Sequence, residues 1–311
     1  MKQEWLLQFK NSWIRVYESR GRLSLDRWVQ GRFTHITDLS KESTGSCTAV
    51  ATPKYLHVVY REAQHVFYAL FDGEHLHKKQ LFASCDVSSL RLASHGNYVH
   101  LFYTTPHKGT YLLMHQLLGE GAKAPVAIME VCDDAFSLYA HQNGDVTLLL
   151  TNKEDVQGTM RYRWSQKGFE AFSPLDCGCK LCRPVLYAED DRLLVAGFAA
   201  FDHFVNILCL EKEWAKSQCT LSAVHLLTAD CDTLCLSCPE GVPSLAWCEG
   251  GLVMESHMEN RNRWKKPKTF LSGNGRENIL FHIEKEDEKR QVFGYMKQGV
   301  PVFYFGEDFG R

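Results

Sequence analysis

Residues 56–73 read LHVVYREAQHVFYALFDG: two apolar runs, Leu56–Tyr60 and His65–Phe71, separated by a short polar stretch and closed by Asp72-Gly73. Each run is five to seven residues long, rich in β-branched and aromatic side chains and bounded by turn residues, which is the signature of a strand. Too few residues separate them for anything but a hairpin. No apolar period of 3.6 residues runs through the stretch, or through any other long enough for a full helix.

The same unit recurs on both sides of this stretch. Runs equivalent to Leu56–Tyr60 occur at Trp13–Tyr17, Val99–Tyr103, Val146–Leu150, Leu193–Gly197, Pro243–Trp247 and Gln291–Tyr295, so the starts advance by 43, 43, 47, 47, 50 and 48 residues. Another run precedes each one, as in Trp5–Phe9, Cys47–Ala51 and Leu90–Ser94. A third follows it, as in Arg22–Trp28, Thr110–Leu117 and Val300–Phe305. In six repeats a fourth, more polar segment completes the unit, as in Thr34–Leu39 and His77–Ala83. His95-Gly96-Asn97, Gln142-Asn143-Gly144, Glu249-Gly250-Gly251 and Gln298-Gly299 supply the positive-φ positions of tight turns.

Four short antiparallel strands per repeat, repeated at this period, predict an all-β chain folded as a β-propeller. Seven blades are favoured, at about 1–44, 45–87, 88–134, 135–181, 182–231, 232–277 and 278–311, the last lacking its outer strand. Six is the alternative, if the segment around Trp5–Phe9 completes the final blade. On this reading all 311 residues form one propeller domain.

The strand His57-Val58-Val59-Tyr60, its hairpin and Phe67-Tyr68-Ala69-Leu70-Phe71-Asp72-Gly73 resemble the loosely repeating blades of sialidase-like and fucose-lectin-like propellers. Those families often carry an Asp-box, Ser-x-Asp-x-Gly-x-x-Trp, of which Phe71–Leu76 keeps only Asp-Gly. Sialidases also need an arginine triad, a nucleophilic Tyr with a Glu, and an acid/base Asp, and no motif in the chain marks them. The resemblance therefore implies fold and not activity.

Composition excludes several classes. With 45% hydrophobic and 23% charged residues and a formal charge of −2, the chain is neither disordered nor a polyanion binder. The apolar run Trp5–Leu7 is too short for a signal-peptide core or a membrane span, and no Asn-x-Ser/Thr acceptor occurs. A cytoplasmic location is expected, with no membrane and no nucleic-acid partner. The twelve cysteines then read as mostly free and buried.

Each cluster of chemically capable residues has a plainer structural reading. Cys177, Cys179 and Cys182 have C-x-C-x-x-C spacing, but cysteine recurs at blade junctions as a small soft packing residue, so no metal and no cofactor are expected. His75 and His77 read as a solvated outer strand, and His57 and His100 as blade-packing residues. Glu189-Asp190-Asp191 reads as turn chemistry. The basic stretch Arg261–Lys268 around Trp264 reads as a solvated hairpin.

In a four-stranded blade the loops joining strands two and three share a face with the connections between blades, and that face is the expected ligand surface. Its candidate binding residues are Arg61, Asp86, His107, Asp134, Asp202 and His203. The expected function is non-catalytic binding of a protein or glycan partner there. A glycan-acting hydrolase or lyase of sialidase-like type is the alternative.

Overall fold

The computed structural model describes residues 2–83, 87–176, 178–189, 191–201, 204–214, 219–260, 263–270, 277–285 and 288–304. Among these, strands account for almost all regular structure, and a 3₁₀ turn at Pro239–Gly241 is the exception.

Seven groups of strands follow one another. The first is β1 (Lys2–Phe9), β2 (Ser12–Ser19), β3 (Arg22–Val29) and β4 (Arg32–Ser40). The second is β5 (Ser43–Ala51), β6 (Leu56–Glu62), β7 (His65–Phe71) and β8 (Leu76–Ala83), and the third β9 (Ser88–His95), β10 (Tyr98–His107), β11 (Thr110–Gly119) and β12 (Val126–Val131). In the fourth, β13 (Ser137–Ala140), β14 (Val146–Thr151) and β15 (Gln157–Arg163) carry a divided outer strand, β16 (Gly168–Phe169) and β17 (Ser173–Pro174). The fifth is β18 (Cys182–Ala188), β19 (Arg192–Phe201), β20 (Phe204–Glu213) and β21 (Thr220–Leu226). The sixth comprises β22 (Cys231–Ser237), β23 (Ser244–Glu249) and β24 (Leu252–Asn260), again with a divided edge, β25 (Arg263–Trp264) and β26 (Lys268–Phe270). The last holds β27 (Ile279–Lys285), β28 (Glu288–Lys297) and β29 (Val300–Phe303). Residues beyond 304, where a further outer strand would start, lie outside the described residues.

The strands are antiparallel within each group and extend further than their apolar runs, because two-residue turns carry the pairing to the hairpin tips. Phe9 pairs with Ser12, Ser19 with Arg22 and Val29 with Arg32. The turn residues Lys10-Asn11, Arg20-Gly21 and Gln30-Gly31 all have positive φ, the twist that suits right-handed strands. The divided edges contain Pro174 and Pro267, and a proline cannot donate to the ladder.

The second strands carry apolar residues on both faces because each sheet is covered on both sides. Leu148 and Leu150 face the third group, where they meet Phe102 and Leu113, while Leu149 between them packs with Leu193 and Val195 of the fifth. Leu194 and Ala196 turn the other way, onto Leu234 and Trp247 of the sixth. Such sheet-to-sheet layers run around the whole molecule, with the first strand of each group innermost.

The ring closes through β1. This strand pairs antiparallel with β2 and parallel with β27, from Lys2 opposite Ile279 to Leu7 opposite Glu284. The first and last groups thereby merge into one seven-stranded sheet, so seven strand groups make six hydrogen-bonded sheets. Trp5–Phe9 thus belongs both to its own group and to the closing sheet. The two halves of that sheet also pack face to face through Leu6, Phe33, Phe281 and Ile283, and the Phe33 N–H donates to the Gly299 carbonyl at 2.9 Å.

Candidate functional site

A concavity of about 880 Å³ lies where the innermost strands end and turn into the second strands. Six of the seven groups line it: Gln8 to Asn11, Ala51 to Pro53, Ser94 to Gly96, Tyr139 to Asn143, Tyr187 to Glu189, and Glu284 with Lys289. A funnel ringed by strand ends is a rigid frame, since the strands that carry its lining turns are anchored by ladders and packed sheets.

One wall is aromatic. Tyr139 and Tyr187 meet edge to face, with ring centroids 5.1 Å apart at 63°, and His141 packs against Tyr139 at 5.1 Å and 82°. The Tyr187 hydroxyl donates to Glu189 Oε1 at 2.8 Å, while Arg192 Nε holds Glu189 Oε2 at 2.9 Å. Trp214 Nε1 donates to the Glu189 carbonyl at 3.0 Å, which fixes the turn that carries this carboxylate. Burial and the hydrogen bond to Glu189 push the Tyr187 phenol far above its ordinary range. It is a neutral hydroxyl with an aromatic face, not an activated oxyanion.

The His141–Asp145 turn is held from below. Asp145 is buried; desolvation alone would raise its pKa, but the Trp164 N–H, Arg163 and Arg161 together hold the carboxyl below its usual range. Those contacts are at 2.8, 2.9 and 3.3 Å. His141 Nε2 lies 2.8 Å from the Thr147 hydroxyl.

Across the funnel, β9 of the third group meets the last group directly. Ser94 Oγ donates to Glu284 Oε1 at 3.3 Å, Lys289 Nζ donates to Ser94 Oγ at 3.3 Å, and Lys289 pairs with Glu284 at 3.4 Å. These groups lie on opposite sides of the ring, so the contact spans the channel.

The expected binding face is the other one. Arg61 ends near the β6–β7 hairpin and His107 near the β10–β11 hairpin, while Asp134 sits in the connection from β12 to β13, its carbonyl accepting from Thr104 Oγ1 at 2.8 Å. None of the three lines the funnel. Asp86, Asp202 and His203 lie outside the described residues. On that face the second concavity, about 620 Å³, is lined by Arg183, Asp230, Cys231, Cys248, Gly250, Gly251 and Asn278.

Cys177 also lies outside the described residues; Cys179 packs into the layer between the fourth and fifth groups, and Cys182 is exposed. All ten described cysteines are free. Among the described residues no three His, Cys, Asp or Glu side chains gather as metal ligands. His57 and His100 are packing residues, as expected: both are buried, His57 between Thr52 Oγ1 and the Tyr68 hydroxyl, and His100 2.9 Å from His115.

The sequence analysis missed the funnel residues, although it contained a signal. Tyr139-Ala140 and Tyr187-Ala188 occupy the same place at the ends of the first strands of adjacent repeats.

No protein-family profile matches the chain, and no curated protein matches it. Solved structures do. A lectin of Aleuria aurantia, whose structure is described as a six-bladed β-propeller with a novel fucose-recognition mode, superposes with a TM-score of 0.53 at 8% identity, over 88% of this chain and 96% of its own. AofleA of Arthrobotrys oligospora gives 0.51 at 12%, over 83% and 84%, and a polysaccharide lyase of family PL25, an ulvan lyase, gives 0.54 at 9%, over 82% and 78%. At these identities the likeness is one of fold, and the chain is a β-propeller similar to fungal lectin propellers.

Proposed function

We propose that the protein binds a glycan, without cleaving it, in the funnel ringed by the ends of the innermost strands. The observation that carries this reading is the pairing of an aromatic wall, Tyr139 and Tyr187, with hydrogen-bonding groups held in place by their own partners, Glu189, His141 and the Ser94–Glu284–Lys289 cluster. A sugar presents apolar C–H faces and a rim of hydroxyls, so it is matched by aromatic faces beside fixed donors and acceptors. The likeness to a fucose-recognising lectin propeller supports the same reading.

Cleavage is the second reading, because two carboxylates, Glu189 and Glu284, line one cavity. Against it, Glu189 is held by Arg192 and Tyr187, Glu284 by Lys289 and Ser94, and the Tyr187 phenol is moved away from nucleophile chemistry.

A glycan array identifies a ligand, and titration calorimetry with Tyr187→Ala and Tyr139→Ala locates it. Loss of either ring lowers affinity by about 10- to 50-fold, the range of a well-packed aromatic anchor, while His107→Ala leaves it unchanged. Unchanged affinity in both tyrosine variants, or release of a reducing end from the bound glycan, refutes the proposal.

A further inference from the structure

The aromatic lining of the funnel continues outward on its third-group side. His95 closes β9 and lines the funnel, and Tyr98 opens β10 directly opposite it in the ladder. The neighbouring group adds Trp164, which follows β15. The His95 and Trp164 rings lie 5.3 Å apart at 61°, and the Trp164 and Tyr98 rings 4.8 Å apart at 56°. The three rings form one run that starts in the funnel wall and ends at Tyr98, which is 37% exposed. His95 and Trp164 are half-buried.

Each ring is held from behind. The Trp164 N–H donates to Asp145 Oδ1 at 2.8 Å, the carboxylate that also fixes the His141–Asp145 turn. His95 lies so close to Gly144 of that turn that a Cβ there would come within 2.6 Å of its Cγ, and Tyr98 lies over Gly121, where a Cβ would meet the ring at 3.4 Å. Such support sets the ring positions before any ligand arrives. The polar ends of the rings are unspent. Among the described residues neither the Tyr98 hydroxyl, nor the Trp164 indole N–H, nor either His95 ring nitrogen has a hydrogen-bond partner. Packing aromatics of the core do find one, as Trp247 Nε1 does on Glu249 at 3.2 Å and the Tyr60 hydroxyl on the Leu39 carbonyl at 2.9 Å. The run does not repeat around the ring either: of the second strands described, β10 alone begins with an aromatic residue.

We propose that His95, Tyr98 and Trp164 form a second glycan subsite beside the funnel, so that the ligand is an oligosaccharide whose chain crosses His95 and seats its next sugar on Trp164 and Tyr98. This subsite rests on the funnel being a glycan site, because its occupant is the next sugar of the same chain. Continuity supports it: His95 belongs to both surfaces, and the 5.3 Å step from its ring to Trp164 is on the scale of one sugar ring. The ring faces cover the apolar C–H side of that sugar, while the phenol and the indole N–H meet its hydroxyls.

The test is a glycan array that prints single sugars beside the di- and trisaccharides containing them, probed with the full chain and read as apparent affinity. The wild type binds at least one oligosaccharide series about 5- to 20-fold more tightly than the corresponding single sugar, the worth of one modest aromatic anchor. Tyr98→Ala brings that series down to the single-sugar level and leaves the single sugar unchanged. Tyr98→Phe keeps the ring and retains most of the difference; Tyr98→Gln repeats the loss with a long side chain still over Gly121. Tyr187→Ala, in contrast, weakens single sugars and oligosaccharides alike. An oligosaccharide preference that survives in Tyr98→Ala and Tyr98→Gln, or that the wild type lacks, overturns the subsite and leaves the funnel reading standing. Equal loss on single sugars and oligosaccharides in Tyr98→Ala also overturns it, since the ring then serves the funnel itself. Absence of any glycan binding by the wild type refutes both.

Discussion

At the scale of single residues, the buried histidines tie sequence to stability most directly. His57, His100 and His115 are enclosed by neighbouring aromatic side chains, and desolvation lowers their pKa values to about 4, 3 and 4. His100 and His115 share a 2.9 Å contact between ring nitrogens, so protonating either would set a cation against the other ring. The ordinary value is 6.5, so the unfolded chain takes up protons that the native state refuses. Their contribution to stability is complete above about pH 6.5 and falls as pH drops towards 4, by up to about 1.4 kcal/mol per pH unit for each residue. Denaturant unfolding at pH 7.5 and pH 5 checks this. Stability is lower at pH 5, and His115→Asn makes the difference smaller; a stability that is unchanged or higher at pH 5 contradicts the assignment. His57 and His100 were legible as packing residues because they recur in one place in adjacent repeats. Their hydrogen-bond partners were not, since Thr52, Tyr68 and His115 come from other positions that only the register brings near.

At the scale of elements, the strand pattern was legible because the sheets are covered on both faces, which puts apolar residues on both sides of second strands such as Val146–Leu150. The outer strands were harder to read, being polar and, in the fourth and sixth groups, divided. In the fourth group the break creates a tight spot. Gly158 on β15 lies opposite Pro174, and a Cβ there would run into the Phe172 ring and, at 2.5 Å, the Ser173 carbonyl oxygen. Gly158 does not have a positive φ, so the constraint is steric. Gly158→Ala is expected to cost about 1–3 kcal/mol by overpacking, read as a lower denaturant midpoint. Gly109→Ala, at a hairpin tip with no atom near the new methyl, meets only the strain of its positive φ of 86°. A neutral Gly158→Ala would show that the divided edge gives way.

At the scale of the whole molecule, two features were legible only in part for physical reasons: that Trp5–Phe9 joins the last group was one of two alternatives, and the funnel's place was not marked. The parallel pairing of β1 with β27 joins segments that each read as an ordinary first strand, so nothing local marks them as partners. The ligand face was expected on the side of the two–three hairpins, whereas the 880 Å³ concavity opens where the innermost strands end. Its lining comes from residues such as Tyr139 and Tyr187 that read as strand and not as site, and only closure of the ring brings them together. The measurement that tests glycan binding in this funnel most directly is amide hydrogen exchange with and without a saturating array-identified glycan. The account predicts slowed exchange in residues 94–97, 139–144 and 187–189, with 61–65, 107–110 and 132–135 unchanged. Protection confined to the second set would place the ligand on the opposite face and contradict it.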